Sequence, residues 1–172
     1  MDLYFVRHGE TDENKQGIIQ GWLDTQLNQE GQRQASDAAA AFDHDIDAIV
    51  SSDLVRCRQT AEHFRVKYPN IPYLEDERLR ERNFGDAQGV HKEQQDWEVF
   101  WAATDTVSIP HAETLKTFNE RVLSFLDDAR KHLGRSALVV THGGTINRVK
   151  DITSERHTFT PIKNSSVTHI VL

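Results

Sequence analysis

The sequence lacks the features that mark membrane, secreted or disulfide-bonded proteins. Cys57 is the single cysteine in 172 residues, so no internal disulfide can form, which fits a reducing cytosol. No apolar run approaches the length that crosses a bilayer. The N-terminus has neither the basic region nor the cleavage site of a secretion signal. We therefore expect a cytoplasmic protein that does not bind membranes.

Basic charge is also scarce. The chain has 20 Lys and Arg against 27 Asp and Glu, a formal net charge of −7, and no basic stretch that would follow a nucleic-acid backbone. We therefore expect no nucleic-acid partner. An anionic ligand would have to be held locally, by a few basic side chains brought together in a cleft.

Repeats, linkers and low-complexity tracts are absent as well, and the length suits a single domain over residues 1–172. Four apolar segments predict strands, and helical spacing recurs around Ala35–Phe42 and Leu115–Leu133. The predicted strands are residues 2–6, 46–51, 136–141 and 166–172. Strands that alternate with helices predict an α/β fold with a mostly parallel central sheet and helices on both faces.

A less regular segment covers about residues 83–113 and carries Trp97 and Trp101. We interpret it as a short lid-like insertion that folds over the site. Trp97 and Trp101, four residues apart, are equally explained as packing one helix onto the domain.

Residues suited to phosphoryl chemistry follow the predicted strands. His8 comes directly after the first strand, beside Arg7, and His142 follows the strand at 136–141. Arg56 lies in the first turns of the helix after the strand at 46–51. Ligands of open α/β sheets bind outside the carboxyl ends of the strands, so these side chains are expected to converge there. The helix N-termini near Asp53 and Gly144 are expected to add backbone N–H donors and a favourable dipole for an anion.

A zinc site is the competing interpretation of the two histidines. The two histidines are expected to lie among arginines, Arg7 and Arg56, and no third ligand stands at a suitable spacing. Cationic neighbours repel a metal ion. We therefore predict neither a metal nor another cofactor.

The ordered motifs, taken together, resemble the histidine phosphatase superfamily, also called phosphoglycerate-mutase-like. The resemblance runs in order over almost the whole chain. The matching segments are Arg7-His8-Gly9-Glu10-Thr11, Asn14, Gln20-Gly21-Trp22-Leu23-Asp24, Leu27, Gly31-Gln32-Arg33-Gln34-Ala35, Ser51-Ser52-Asp53-Leu54, Arg56, Gln59-Thr60-Ala61, Glu81, Phe84-Gly85, Glu113-Thr114, Thr141-His142-Gly143-Gly144 and Asn164-Ser165-Ser166.

The resemblance implies a transient phosphohistidine on His8. Arg7 and Arg56 are then expected to donate to the phosphoryl oxygens, and His142 to add a further donor once the anion raises its pKa. Glu81 is the expected general acid, which protonates the leaving oxygen and later activates water. Four further residues are expected to bind the phosphoryl group or the substrate: Asn14, Gln20, Gly21 and Gly143.

The family resemblance leaves more than one function open. A phosphomonoesterase acting on a small-molecule phosphate ester is favoured over a phosphoglycerate mutase, because the segment 83–113 is short and its charged residues are mostly acidic. Its one Lys or Arg residue, Lys92, stands against six acids: Asp86, Glu93, Asp96, Glu98, Asp105 and Glu113. Such a lid would disfavour a second anionic group on the substrate.

A third function, a non-catalytic module that binds phosphorylated ligands, stays open, although the chain retains every reactive group. His111, next to Glu113, is a further candidate for contact with the leaving group. A homo-oligomer is compatible with the sequence.

Overall fold

A five-stranded sheet forms the centre of the protein. The computed structural model describes residues 1–94, 109–153 and 161–172. Within these ranges the strand order is β3-β2-β4-β1-β5. The strands are β1 (Asp2–Arg7), β2 (Ala48–Ser51), β3 (Tyr73–Glu75), β4 (Ser136–Thr141) and β5 (Val167–Val171). The first four are parallel and β5 pairs antiparallel with β1.

Helices cover both faces of this sheet. α2 (Gln29–Ala41) and α3 (Val55–Lys67) pack on one face, and α4 (Leu115–His132) and α5 (Gly143–Thr153) pack on the other. The short helix α1 (Asp12–Gln16) follows β1 and buries no residue. Short 3₁₀ turns lie at Glu77–Leu79, Gly85–Ala87 and Lys92–Gln94. No helix in the described part of the chain combines the length and the apolar character that crossing a membrane requires.

Alternate residues of the central strands supply two separate cores. Leu3 and Phe5 of β1 pack into a core with α4 and α5, whereas Val6 packs on the opposite face with α2 and α3. Val139 and Val140 of β4 divide between the same two cores. Such alternation is what a strand covered on both sides produces. The predicted α/β fold with helices on both faces is confirmed.

The strand bounds agree with the sequence pattern where the apolar run is continuous. β4 occupies the predicted residues 136–141, whereas β2 begins at Ala48 rather than at residue 46. Asp47, just before β2, donates its backbone N–H to the carbonyl of Ser136 at 2.8 Å, and its carboxylate accepts the backbone N–H groups of Arg135 and Ser136, at 2.6 and 3.1 Å. The prediction for Trp97 and Trp101 lies outside the described residues.

Candidate active site

His8 is held at the end of β1 with one ring nitrogen occupied. Its side chain is buried, and its backbone N–H donates to the carbonyl of Thr141 at 2.9 Å. Nδ1 lies 2.8 Å from the carbonyl oxygen of Gly9. Since a carbonyl only accepts, Nδ1 carries the proton and Nε2 keeps the lone pair that a nucleophile needs. Burial, followed by the nearby Arg56 and Arg7, lowers the pKa of His8 well below its usual value, so the ring is neutral.

The loop after His8 rests directly on the first turn of α2. A Cβ atom on Gly9 would lie 2.4 Å from the carbonyl oxygen of Gly31, and one on Gly31 would lie 2.0 Å from that of Glu10. The N–H of Gly9 donates to Oγ1 of Thr60 at 3.0 Å, which ties the loop to α3. Gly31 and Thr60 lie in matched motifs, but the sequence assigned neither of them a function.

Two arginines enclose the space in front of His8. Arg56 is 1% exposed and donates through Nη1 to the carbonyl of Leu23 and through Nη2 to that of Gly21, both at 2.7 Å. The Nε atoms of Arg7 and Arg56 are buried and have no hydrogen-bond acceptor among the described residues. An unsatisfied charged donor is costly to bury, so this pair indicates a binding place for an anion.

His142 faces His8 across the same space, with ring centroids 5.2 Å apart. Nη2 of Arg56 donates to its Nδ1 at 3.2 Å, so the proton lies on Nε2, which donates to Oγ of Ser52 at 3.1 Å. Burial and then the Arg56 charge hold the pKa of His142 well below its usual value. The ring is therefore neutral in the unliganded protein, and its protonation by a bound anion stays a prediction.

Glu81 sits at the N-terminus of α5. Its Oε2 accepts the backbone N–H of Gly144 at 2.9 Å, and Oε1 accepts that of Arg82 at 2.9 Å. A Cβ on Gly144 would lie 2.2 Å from Oε1, so the carboxylate fits only beside a glycine. We expected the Gly144 N–H to serve a bound anion directly. In the unliganded protein this N–H donates to Glu81 instead, and the role of the helix N-terminus toward a bound anion stays a prediction.

The main chain that carries Glu81 is clamped from behind by Arg121 of α4. Arg121 donates to the carbonyls of Arg78, Arg80 and Glu81 at 2.6 to 2.8 Å. The same guanidinium forms a bidentate pair with Glu113 at 2.7 and 2.9 Å. The two side chains are only 14% and 7% exposed. This clamp was missed from the sequence, since only the fold brings α4 behind Glu81.

All nine predicted site residues line one cleft of about 980 Å³. They are Arg7, His8, Asn14, Gln20, Gly21, Arg56, Glu81, His142 and Gly143. Asn14 reaches His8 indirectly: its Oδ1 accepts from Nδ2 of Asn164 at 3.2 Å, and the same Nδ2 donates to the carbonyl of His8 at 2.9 Å. Gln20 accepts the hydroxyl of Thr25. Among the described residues no group of three or more His, Cys, Asp or Glu is placed to hold a metal.

Two of the acidic residues of the predicted lid, Asp86 and Glu113, have basic partners in the described part of the chain. Glu113 is paired with Arg121, and Asp86 lies 2.8 Å from Nδ1 of His111, which is 82% exposed. The described lining of the cleft includes Lys92 but not His111. Asp96, Glu98 and Asp105 lie outside the described residues. The repulsion expected from an acidic lid therefore stays a prediction, and His111 is not among the described residues that line the cleft.

Comparison with known proteins identifies the family. A model of the histidine phosphatase superfamily (branch 1) matches residues 3–172. A probable phosphatase, C1687.21 of Schizosaccharomyces pombe, is 32% identical over 99% of this chain and 82% of its own length. Phosphoglycerate mutase-like protein 4 of Arabidopsis thaliana is 37% identical over 84% of this chain and 67% of its own.

A solved structure gives the same family. Mycobacterial glucosyl-3-phosphoglycerate phosphatase, solved in complex with VO3, superposes with a TM-score of 0.85 at 27% identity and covers 98% of this chain and 91% of its own. The predicted phosphatase is confirmed, and the mutase is the less favoured alternative. The chain belongs to the histidine phosphatase superfamily.

Proposed function

We propose that the protein hydrolyses a small phosphorylated metabolite through a phosphohistidine on His8, with no metal or other cofactor. One observation carries the proposal. The neutral His8 ring keeps its Nε2 lone pair beside two buried arginines, Arg7 and Arg56, whose Nε donors have no acceptor among the described residues. A neutral nucleophile within a cationic pocket is suited to attack on a phosphate dianion.

The first step transfers the phosphoryl group to the protein. Nε2 of His8 attacks phosphorus, the bond from phosphorus to the ester oxygen breaks, and the leaving oxygen takes a proton from the Glu81 carboxyl group. Arg7 and Arg56 donate to the non-bridging oxygens, where negative charge is spread in the transition state. The two backbone N–H groups that hold the Glu81 carboxylate fix the position from which the proton is delivered.

The second step returns the phosphoryl group to water. Glu81, now ionised, accepts a proton from a water molecule as that water attacks phosphorus. The bond between phosphorus and Nε2 breaks, inorganic phosphate leaves, and His8 regains its lone pair. His142, oriented by Arg56 and Ser52, lies across the pocket and becomes a donor to phosphate if its Nδ1 is protonated on binding.

Trapping the intermediate tests the proposal most directly. Enzyme mixed with ³²P-labelled aryl phosphate in the presence of EDTA and quenched in alkali, where phosphohistidine survives, should carry label on His8. His8→Gln should lose the label and nearly all turnover. His63→Gln is the matched control, because His63 bonds Gln32 away from the cleft. A turning-over enzyme that never carries label would overturn the mechanism.

Two substrate assays address the alternatives. Efficient conversion of 3-phosphoglycerate into its 2-isomer would favour the mutase. Tight phosphate binding with no turnover of any ester would favour the non-catalytic module. We also propose a cytoplasmic location, supported by the single buried Cys57, and a homo-oligomeric state stays a prediction of the sequence.

A further inference from the structure

A third arginine in the cleft, Arg148 of α5, has no role in the chemistry above. Its Nε is buried without an acceptor among the described residues, as in Arg7 and Arg56. Its one ion pair, from Nη1 to Oδ2 of Asp151, is 3.4 Å long, against about 2.8 Å for a good charge-assisted hydrogen bond. The Arg148 side chain is only 21% exposed. A largely buried guanidinium with vacant donors thus borders the cleft at a second place.

The position of Arg148 relates it to the leaving group. Gly144, whose N–H holds the Glu81 carboxylate, precedes Arg148 by four residues, which is about 6 Å along the helix axis. Residues four apart lie on the same face of an α-helix, so Arg148 and Gly144 share one face of α5, and both line the cleft together with Glu81. Glu81 delivers its proton to the ester oxygen. A group on the departing alcohol a few bonds from that oxygen therefore comes within reach of Arg148.

The vacant donors of Arg148 suit a carboxylate. A guanidinium offers parallel N–H groups in the spacing of two carboxylate oxygens. Asp151, beside it, offsets much of its charge, which favours a monoanion bound by geometry over a second phosphate dianion. The cleft lining also contains apolar side chains, Ile18, Leu115 and Ile162, and one further cation outside the phosphoryl pocket, Lys92.

We propose that Arg148 binds a carboxylate on the alcohol part of the substrate, so that the natural substrates are phosphate esters of small hydroxy or amino acids. This inference rests on the proposed phosphatase function and specifies its substrate class. We therefore expect the preference for substrates with a carboxylate to depend on a residue of α5 rather than on the segment after Glu81.

Two matched pairs of substrates test the inference. Phosphoserine differs from phosphoethanolamine by its carboxylate, and 3-phosphoglycerate carries a carboxylate where glycerol 3-phosphate carries a hydroxymethyl group. In at least one pair, the wild-type protein should have a kcat/KM at least about tenfold higher for the substrate with the carboxylate. Which pair shows this preference tells whether the natural substrate is a phosphorylated amino acid or a phosphorylated hydroxy acid. Arg148→Met should lower kcat/KM for that member about 10- to 100-fold, the range of a charged hydrogen bond, and for its partner less than about threefold.

Two further variants make the result specific. Arg148→Lys keeps the charge without the paired donors and should recover only part of the preference. Arg130→Met is the matched control, since Arg130 forms a comparable helical ion pair with Asp127, at 3.5 Å, away from the cleft lining. It should keep the wild-type ratio within each pair.

Several outcomes would overturn the inference. They are equal activity of wild type on both members of each pair, equal losses in Arg148→Met, or the same shift in Arg130→Met. If the protein hydrolyses neither these esters nor an aryl phosphate, the proposed phosphatase function fails. The carboxylate site is then tested separately, by measuring the binding of the same compounds by calorimetry. Phosphoserine or 3-phosphoglycerate should bind at least about tenfold more tightly than its partner lacking the carboxylate. Equal affinities would contradict a carboxylate site.

Discussion

Nη2 of Arg56 donates to Nδ1 of His142 at 3.2 Å, so the arginine fixes the tautomer of the second histidine before any ligand arrives. The same arginine holds the loop at Gly21 through a second hydrogen bond. The pocket is therefore assembled in advance around a charged group and two neutral rings. Preorganisation of this kind lowers the reorganisation needed in the transition state.

The two buried histidines predict an acid-sensitive stability. In the unfolded chain, His8 and His142 take up protons below about pH 6.5, whereas in the folded protein burial and Arg56 lower both pKa values. The unfolded state then binds more protons, so the free energy of unfolding falls as the pH drops below 6.5, by up to about 1.4 kcal/mol per unit for each histidine. Urea unfolding between pH 5 and 7.5 measures this slope.

A single replacement should reduce that slope. His142→Gln is expected to remove about half of the slope, because it removes one of the two buried rings whose pKa is lowered. A free energy of unfolding that stays constant from pH 6.5 to 5 would contradict the neutral state of both rings.

Gly144→Ala should impair the acid without impairing the fold. The added Cβ would lie 2.2 Å from Oε1 of Glu81 and displace that carboxylate, while alanine is itself favourable in a helix by up to about 1 kcal/mol. We expect kcat/KM for alkyl phosphates to fall about 100-fold and that for 4-nitrophenyl phosphate far less, because nitrophenolate leaves with little protonation. Thermal unfolding checks the fold.

The neighbouring glycine provides the comparison. At Gly143 a Cβ would make only an ordinary contact, 3.5 Å from Nε of Arg7, so Gly143→Ala should cause a smaller loss. Equal losses on the alkyl and nitrophenyl esters in Gly144→Ala would argue that Glu81 is not the acid.

Removal of the clamp behind Glu81 should cost both stability and leaving-group protonation. Arg121→Leu leaves Glu113 buried without its partner, for which we expect about 3 kcal/mol of lost unfolding free energy, measured in urea. The double variant Arg121→Leu with Glu113→Leu should lose less, since the Glu113 carboxylate is then no longer buried without Arg121. A double variant less stable than the single one would refute this account of the clamp.

Cys57 should react slowly with thiol reagents. It is fully buried, and burial raises the pKa of its thiol to about 12, so almost no thiolate is present at pH 8. Labelling with a disulfide reagent should be slow in the native protein and complete within minutes in urea. Fast stoichiometric labelling of the native protein would show that Sγ is accessible.

The sequence was sufficient where one local pattern determines the structure. The continuous apolar run at 136–141 predicted β4, and the strand ends predicted the convergence of His8 and His142. β3 was missed, because the strand has only three residues, which are mostly exposed and show no strand periodicity. Arg121 and Arg148 were missed for another reason: an arginine on a helix is usually solvated, and only tertiary packing buries these two beside the cleft.

The contact between Gly9 and Gly31 has a consequence for redesign of this protein. The backbone of the loop after His8 and that of the first turn of α2 are in contact there, with no space for even a methyl group. This contact between main-chain atoms fixes the position of the His8 ring relative to α2. A substitution of Gly9 or Gly31 would therefore move the loop and, with it, the His8 ring. The side chains of α5 that line the cleft can instead be substituted to change which alcohol part of the substrate is preferred, without moving the His8 ring.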